Sequence, residues 1–187
     1  MRVAIVMGSA GQALEEFEAA RAFLAAHSLE AHAVCVNAAI NLCPIKPVAF
    51  ATVQGGNIPL WLTPETDIEG VKIFTRRGAH GVASYVVRAK WLGTSGLYGV
   101  QIALEELGFD GVILAGVPID AAAGTLCAHS LMTDADRVER YRPEWSLALP
   151  TIGARTRSMS GWTRELLGEP TSQWLRSLTP PTARACA

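Results

Sequence analysis

Long apolar runs are missing from this chain. Half of its 187 residues are hydrophobic, yet no stretch approaches the roughly 18–20 apolar residues needed to cross a bilayer, so no membrane partner is expected. Val3–Met7 is too short an apolar run for a secretory signal and ends at a glycine; it reads as a first strand. Cysteine is scarce. Cys35, Cys43, Cys127 and Cys186 are irregularly spaced, which argues against a disulfide framework and reads as reduced thiols in a cytoplasmic compartment. Neither CxxC nor HExxH occurs, so the Cys127-Ala-His129 pair predicts no metal site. Charge of either sign is not in excess: 16 basic and 17 acidic side chains leave a net charge of −1, which excludes a general nucleic-acid surface. Repeats and low-complexity segments are absent too.

What is present is organised around Trp91–Asp120, WLGTSGLYGVQIALEELGFDGVILAGVPID. Leu97, Val100, Leu104 and Leu107 recur at helical steps, Thr94 or Ser95 can cap the first turn, and Gly108 stops the helix. Gly111–Ala115 follows as a strand packed on both sides, and Gly116 to Asp120 supplies a glycine and a carboxylate at its end. In an open parallel sheet, that edge is where ligands sit.

The amino-terminal segment repeats this logic. Val3–Met7 is a strand, Gly8, Ser9, Ala10 and Gly11 form a turn, and Ala13–Ala26 is a helix whose apolar stripe is Leu14, Phe17, Ala20 and Leu24, with Glu15, Glu16, Glu18 and Arg21 toward water. Helix-start amides in such a turn can receive phosphate. The full GxGxxG fingerprint and the P-loop lysine are absent, so the turn has a structural reading beside the ligand one. Ala31–Val36 is a second strand ending at Asn37, whose carboxamide can read a base or ribose, or can satisfy a turn. The acid that commonly holds an NAD ribose is not there, which weakens a dehydrogenase reading.

Further strands are predicted near Val48–Thr52, Val71–Phe74 and Val82–Val87, with a short helix after Asn57 and a basic turn at Arg76-Arg77. After Asp120, Asp134–Tyr141 reads as a short helix in which Asp134 and Asp136 lie in a helix-like rather than metal-binding setting. Pro143, Trp145 and Pro150 describe a loop, Trp162–Leu167 a helix, and Pro170–Leu175 one docked turn. The predicted fold is a three-layer, Rossmann-like α/β domain over residues 1–177, with a mostly parallel sheet of five or six strands and flanking helices; 178–187 is a flexible tail.

MGSAG, VNAAI and the central GTSGLYGVQIALEELGFDGVILAGVPID stretch together resemble uncharacterised phage and prophage proteins. More remotely they resemble the small bacterial CMP-sialic-acid-dependent sialyltransferases of glycosyltransferase family 42. The resemblance runs discontinuously from Val3 to about Asp120. It implies a donor-nucleotide turn at Gly8, Ser9 and Ala10, a nucleotide-facing Asn37, a hydroxyl pair at Thr94 and Ser95, and a strand end at Gly116 and Asp120. It also implies a pyrimidine-nucleotide sugar as donor, with a protein or glycan as acceptor. A hydroxyl replaces that family's turn amide, and no tyrosine pair can be carried over. His129 is the nearest candidate for the family's general base, and a histidine with a reference pKa of about 6.5 can deprotonate an acceptor hydroxyl. Its other reading is a loop anchor.

The candidate site is therefore His129 and Asp120 for catalysis, with Gly8, Ser9, Ala10, Gly11, Asn37, Thr94, Ser95 and Gly116 for nucleotide and phosphate. No prosthetic group is expected beyond a nucleotide-sugar donor. Four functions stand side by side: a nucleotide-dependent transferase, a non-catalytic nucleotide-binding module, a nucleoside glycosidic-bond enzyme and a phage structural protein. A glycosidic-bond enzyme needs a carboxylate at the anomeric carbon, for which Asp120 is available.

Overall fold

The computed structural model describes residues 1–89, 93–121 and 134–178. Seven strands form one sheet: β1 (Val3–Met7), β2 (His32–Val36), β3 (Ala49–Thr52), β4 (Lys72–Thr75), β5 (Val86–Val87), β6 (Gly111–Ala115) and β7 (Thr156–Ser158). Their order is β5-β4-β3-β2-β1-β6-β7, and every pairing is parallel. The helices are α1 (Ala13–Ala26), α2 (Ile58–Trp61), α3 (Ser95–Gln101), α4 (Asp134–Ile152), α5 (Gly161–Leu167) and α6 (Ser172–Leu178). The three-layer, Rossmann-like class predicted from the sequence is present, with a wholly parallel sheet and one more strand than expected.

β1 and β6 lie side by side, with Val3 opposite Gly111 and Met7 opposite Ala115, and all residues of both strands are buried. Burial on both faces explains why they read as continuous apolar runs rather than alternating ones. Odd-numbered residues of β1 join Phe17, Leu24, Phe50, Trp61 and Trp174 on one face, beneath α1, α2 and α6. Even-numbered ones join Tyr98, Val100, Trp145 and Leu167 on the other, beneath α3, α4 and α5. The chain steps outward from β1 to β5, then returns along α3 to lay β6 on β1's free side. Parallel neighbours require such crossovers.

Three expectations need correction. In α1 the buried stripe is Ala13, Glu16, Phe17, Ala20 and Leu24, whereas Leu14 is half exposed. Glu16 lies three residues after Ala13 and so faces the sheet, where a backbone amide meets its carboxylate. The loop predicted around Pro143 and Pro150 is instead the middle and end of the 19-residue α4. The two prolines are seven residues apart and both exposed, so the carbonyls deprived of a donor face water. Trp145 and Ile152, both buried, hold the helix on the sheet. The third concerns the expected five or six strands: the added one is β7, an edge strand of Thr156-Arg157-Ser158 with no apolar signature, paired to β6 from Val112 to Leu114.

α3 passes directly into a π-helical turn, Ile102–Glu106, and ends near Gly108, which takes a φ of 67°. The terminal segment expected as one turn is the whole of α6. The remaining tail expectation falls on 179–187, outside the described residues. Among the described residues, no helix is long and apolar enough to cross a membrane.

α3 crosses the sheet close to the backbone because Gly99 has no side chain: a Cβ there would lie 2.8 Å from Val36 Cγ1 and 3.1 Å from Val6 Cγ1. Valine methyls on a central strand have little room to yield. Gly99→Ala is expected to destabilise the protein by about 1–3 kcal/mol in urea denaturation, despite alanine's better helix propensity of about 1 kcal/mol. Val36→Ala should relieve part of that loss in a double-mutant cycle; a more stable Gly99→Ala protein would contradict the close-packing account.

Candidate functional site

Because all strands are parallel, residues that directly follow them share one edge of the sheet. Gly8 follows β1, Asn37 follows β2, and Gly116 follows β6. The start of α3 reaches the same edge, where Ser95 Oγ accepts a hydrogen bond from the Val53 amide just beyond β3. Asp120 follows on from β6 through Ile119, whose φ of 48° is left-handed, and is exposed. The edge thus brings together Gly8, Ser9, Ala10, Gly11, Asn37, Thr94, Ser95, Gly116 and Asp120. His129 lies outside the described residues, as does Cys127.

The strand order reverses between β1 and β6, and there the two glycine turns are in contact. Gly8 N donates to Ala115 O at 2.7 Å, and Ala10 N to Gly116 O at 3.2 Å. A Cβ on Gly8 would lie 2.2 Å from Gly116 O, so this backbone approach demands glycine. Gly116 N donates to Glu16 Oε2 at 2.7 Å, and the carboxylate's other oxygen is buried without a partner among the described residues. A negative charge therefore already sits beneath the start of α1, on an amide that the sequence offered to a ligand. Glu16 was missed at the sequence level, although its position on the stripe of α1 was a signal for it.

The α3 hydroxyls are also engaged internally. Thr94 is the N-cap: its Oγ1 accepts from Leu97 N and from the indole Nε1 of buried Trp145, both at 3.1 Å. Ser95 is buried. Asn37 differs. Its φ of 54° is left-handed, a conformation asparagine tolerates better than most side chains. Thr52 Oγ1 donates to its Oδ1 at 2.9 Å while accepting from Gln54 N at 3.0 Å. This orients the carboxamide and leaves its Nδ2 donor without a partner among the described residues. Thr52, a polar residue closing an apolar strand, is a site residue the sequence reading passed over.

Positive charge enters further along the edge. Arg76 and Arg77 follow β4, the first half-buried and the second exposed, and Arg76 N donates to Thr52 O at 3.3 Å. Arg88, beyond β5, pairs with Glu106 at 2.7 Å. The edge is therefore acidic beneath β1 and β6 and basic beyond β4. Tyr98 packs fully buried on α3, and burial pushes its phenol up to about 12, against the lowering influence of Arg88 and Arg76.

No protein-family model matches the chain, and no curated protein or solved structure matches it.

Two outcomes follow from these contacts. Thr94→Ala removes a cap and strands the Trp145 indole, so it should cost about 2 kcal/mol or more in denaturant unfolding; Thr94→Ser, which keeps the oxygen, should cost far less. In an absorbance titration of the three tyrosines, Tyr98 should ionise last, near pH 12. Its folded pKa lies above the unfolded value of about 10, so the folded state keeps the proton longer and stability falls as pH rises between those values, by about 2–3 kcal/mol. Three phenols titrating together near 10 in the intact fold would refute the burial effect.

Proposed function

We propose that the carboxyl edge of the sheet binds a nucleotide, and that the bound nucleotide is the donor in a group-transfer reaction. The observation that carries this reading is the convergence of Gly8–Gly11, Asn37 and Gly116–Asp120 on one edge at the reversal of strand order. Open parallel sheets take their ligands in the crevice formed there. Asn37 offers an oriented donor to a base or ribose. The phosphate lies toward Arg76 and Arg77, because the Glu16 carboxylate repels an anion at the start of α1 while guanidinium groups match phosphate oxygens. Asp120, beyond β6, organises the polar site, and His129 is the acceptor-activating base. The resemblance to family 42 sialyltransferases adds the preference for a pyrimidine nucleotide and for a sugar as the transferred group.

Calorimetry with a panel of pyrimidine and purine nucleotides tests the binding step. Asn37→Gly removes the carboxamide without straining the left-handed backbone, and it should weaken nucleotide binding by about 1–3 kcal/mol. Arg76→Ala should weaken nucleotides and spare the corresponding nucleosides. No binding by the parent protein, or an Asn37→Gly variant that binds equally well, would remove the edge from consideration. The transfer step is tested separately, by turnover of nucleotide sugars with the parent and His129→Asn; general-base loss should cost about a hundredfold to ten-thousandfold in rate with binding retained.

A further inference from the structure

Cys35 and Cys43 frame the turn that carries Asn37. Cys35 is on β2 with its side chain fully buried under α1. The chain then makes a 3-10 turn, Asn37–Asn41, whose carbonyl at Ala39 accepts from the amides of both Leu42 and Cys43. This folds the chain back, so that Cys43 packs against the same apolar cluster as Cys35, near enough for each thiol to shift the other's ionisation. No disulfide joins them. Their surroundings differ: Cys35 is sealed in the core, whereas Cys43 is only partly buried and lines a groove of about 410 Å³. The groove lies between the segments leading into β3 and β4, with Asn41, Ile45, Lys46, Thr66 and Asp67 on its walls. It is separate from the carboxyl edge.

We propose that Cys43 is an oxidation site that reacts with a small hydroperoxide entering this groove and is resolved by Cys35 into an intramolecular disulfide. The Cys43 thiolate attacks the terminal oxygen of the peroxide and breaks the O–O bond. Sulfur is oxidised to sulfenic acid while the peroxide, taking up a proton, is reduced to water or an alcohol. Cys35 sulfur then attacks Cys43 sulfur, and the sulfenic oxygen leaves as water with the proton Cys35 gives up. In balance, two thiols lose two electrons and two protons to one hydroperoxide.

The asymmetry of the pair suits these roles. The thiol of Cys43 is held below its ordinary range by the neighbouring Cys35 thiol, helped by the backbone at Ile45 and opposed by burial and by the charge of Glu18. Cys35 is driven the other way by Cys43 beside it and by its burial. Thiolate character with exposure marks the sulfur that oxidises first. A neighbouring protonated thiol is a resolving partner that no peroxide can reach directly.

The experiment treats the fully reduced full-length protein with hydrogen peroxide under native conditions, alkylates the remaining thiols and maps them by mass. Both cysteines fall in one tryptic peptide, since the only lysine or arginine between Arg21 and Lys72 is Lys46, which precedes Pro47. The expected product is that peptide lighter by two hydrogens and closed to alkylation until a reductant is added. Without peroxide, Cys43 should alkylate at least about tenfold faster than Cys35. Cys35→Ser should leave Cys43 as a sulfenic acid that dimedone traps; Cys35→Ala serves if the hydroxyl disturbs the core, and the measurement on the parent protein needs neither. Oxidation confined to Cys127 or Cys186, or a Cys43 sulfenic acid that persists in the parent with Cys35 still reduced, would overturn the proposal.

Discussion

Gly8 and Gly116 approach each other so closely that the carbonyl of one occupies the space where the other's Cβ would stand. Much of the architecture depends on that contact. It brings the ends of the two central strands together, fixes where α1 begins, and places the turns after β1 and β6 against one another. It also determines what lies beneath them, because the Gly116 amide, with no partner strand at that point, is met by Glu16 from the first turn of α1. A side chain at either glycine would separate the turns and strand a buried carboxylate, which is among the more costly changes a fold can undergo.

The charge distribution gives the shared edge a direction. A glycine-rich turn before a helix is commonly an anion cradle, because helix-start amides and the helix dipole both attract negative charge. Here a carboxylate has taken part of that role, while the arginines lie beyond β4, three strands away from β1. The hydroxyls of Thr94 and Ser95 show the same kind of internal engagement, one capping α3 and holding an indole, the other accepting from the β3 loop. Asn37 combines a left-handed backbone, one anchored oxygen and one donor with no partner among the described residues.

Much of this was legible in the residues. Apolar runs bounded by glycines or polar residues specified β1, β2 and β6, helical spacing specified α1 from Ala13 to Ala26 and the start of α3, and the residues at strand ends pointed to the edge. The errors share a cause. Glu16 was assigned to water by its chemistry, although its spacing put it on the sheet side. Pro143 and Pro150 were read as helix breakers, although exposure on one face makes them tolerable. β7 carries no apolar pattern because it needs none: it is recruited at the sheet margin by the free backbone groups of β6.

The amino-acid sequence by itself determined the class of fold, helix α1, the start of α3 and the central strands, and the residues that end those strands, because each depends on local spacing and on the burial that an apolar run demands. Only the tertiary structure decided the strand order, the meeting of the two glycine turns, the burial of Glu16 and the pairing of Cys35 with Cys43. These depend on which distant segments become neighbours. Backbone contacts between Gly8 and Gly116, more than a hundred residues apart, leave no periodicity for a linear reading to detect.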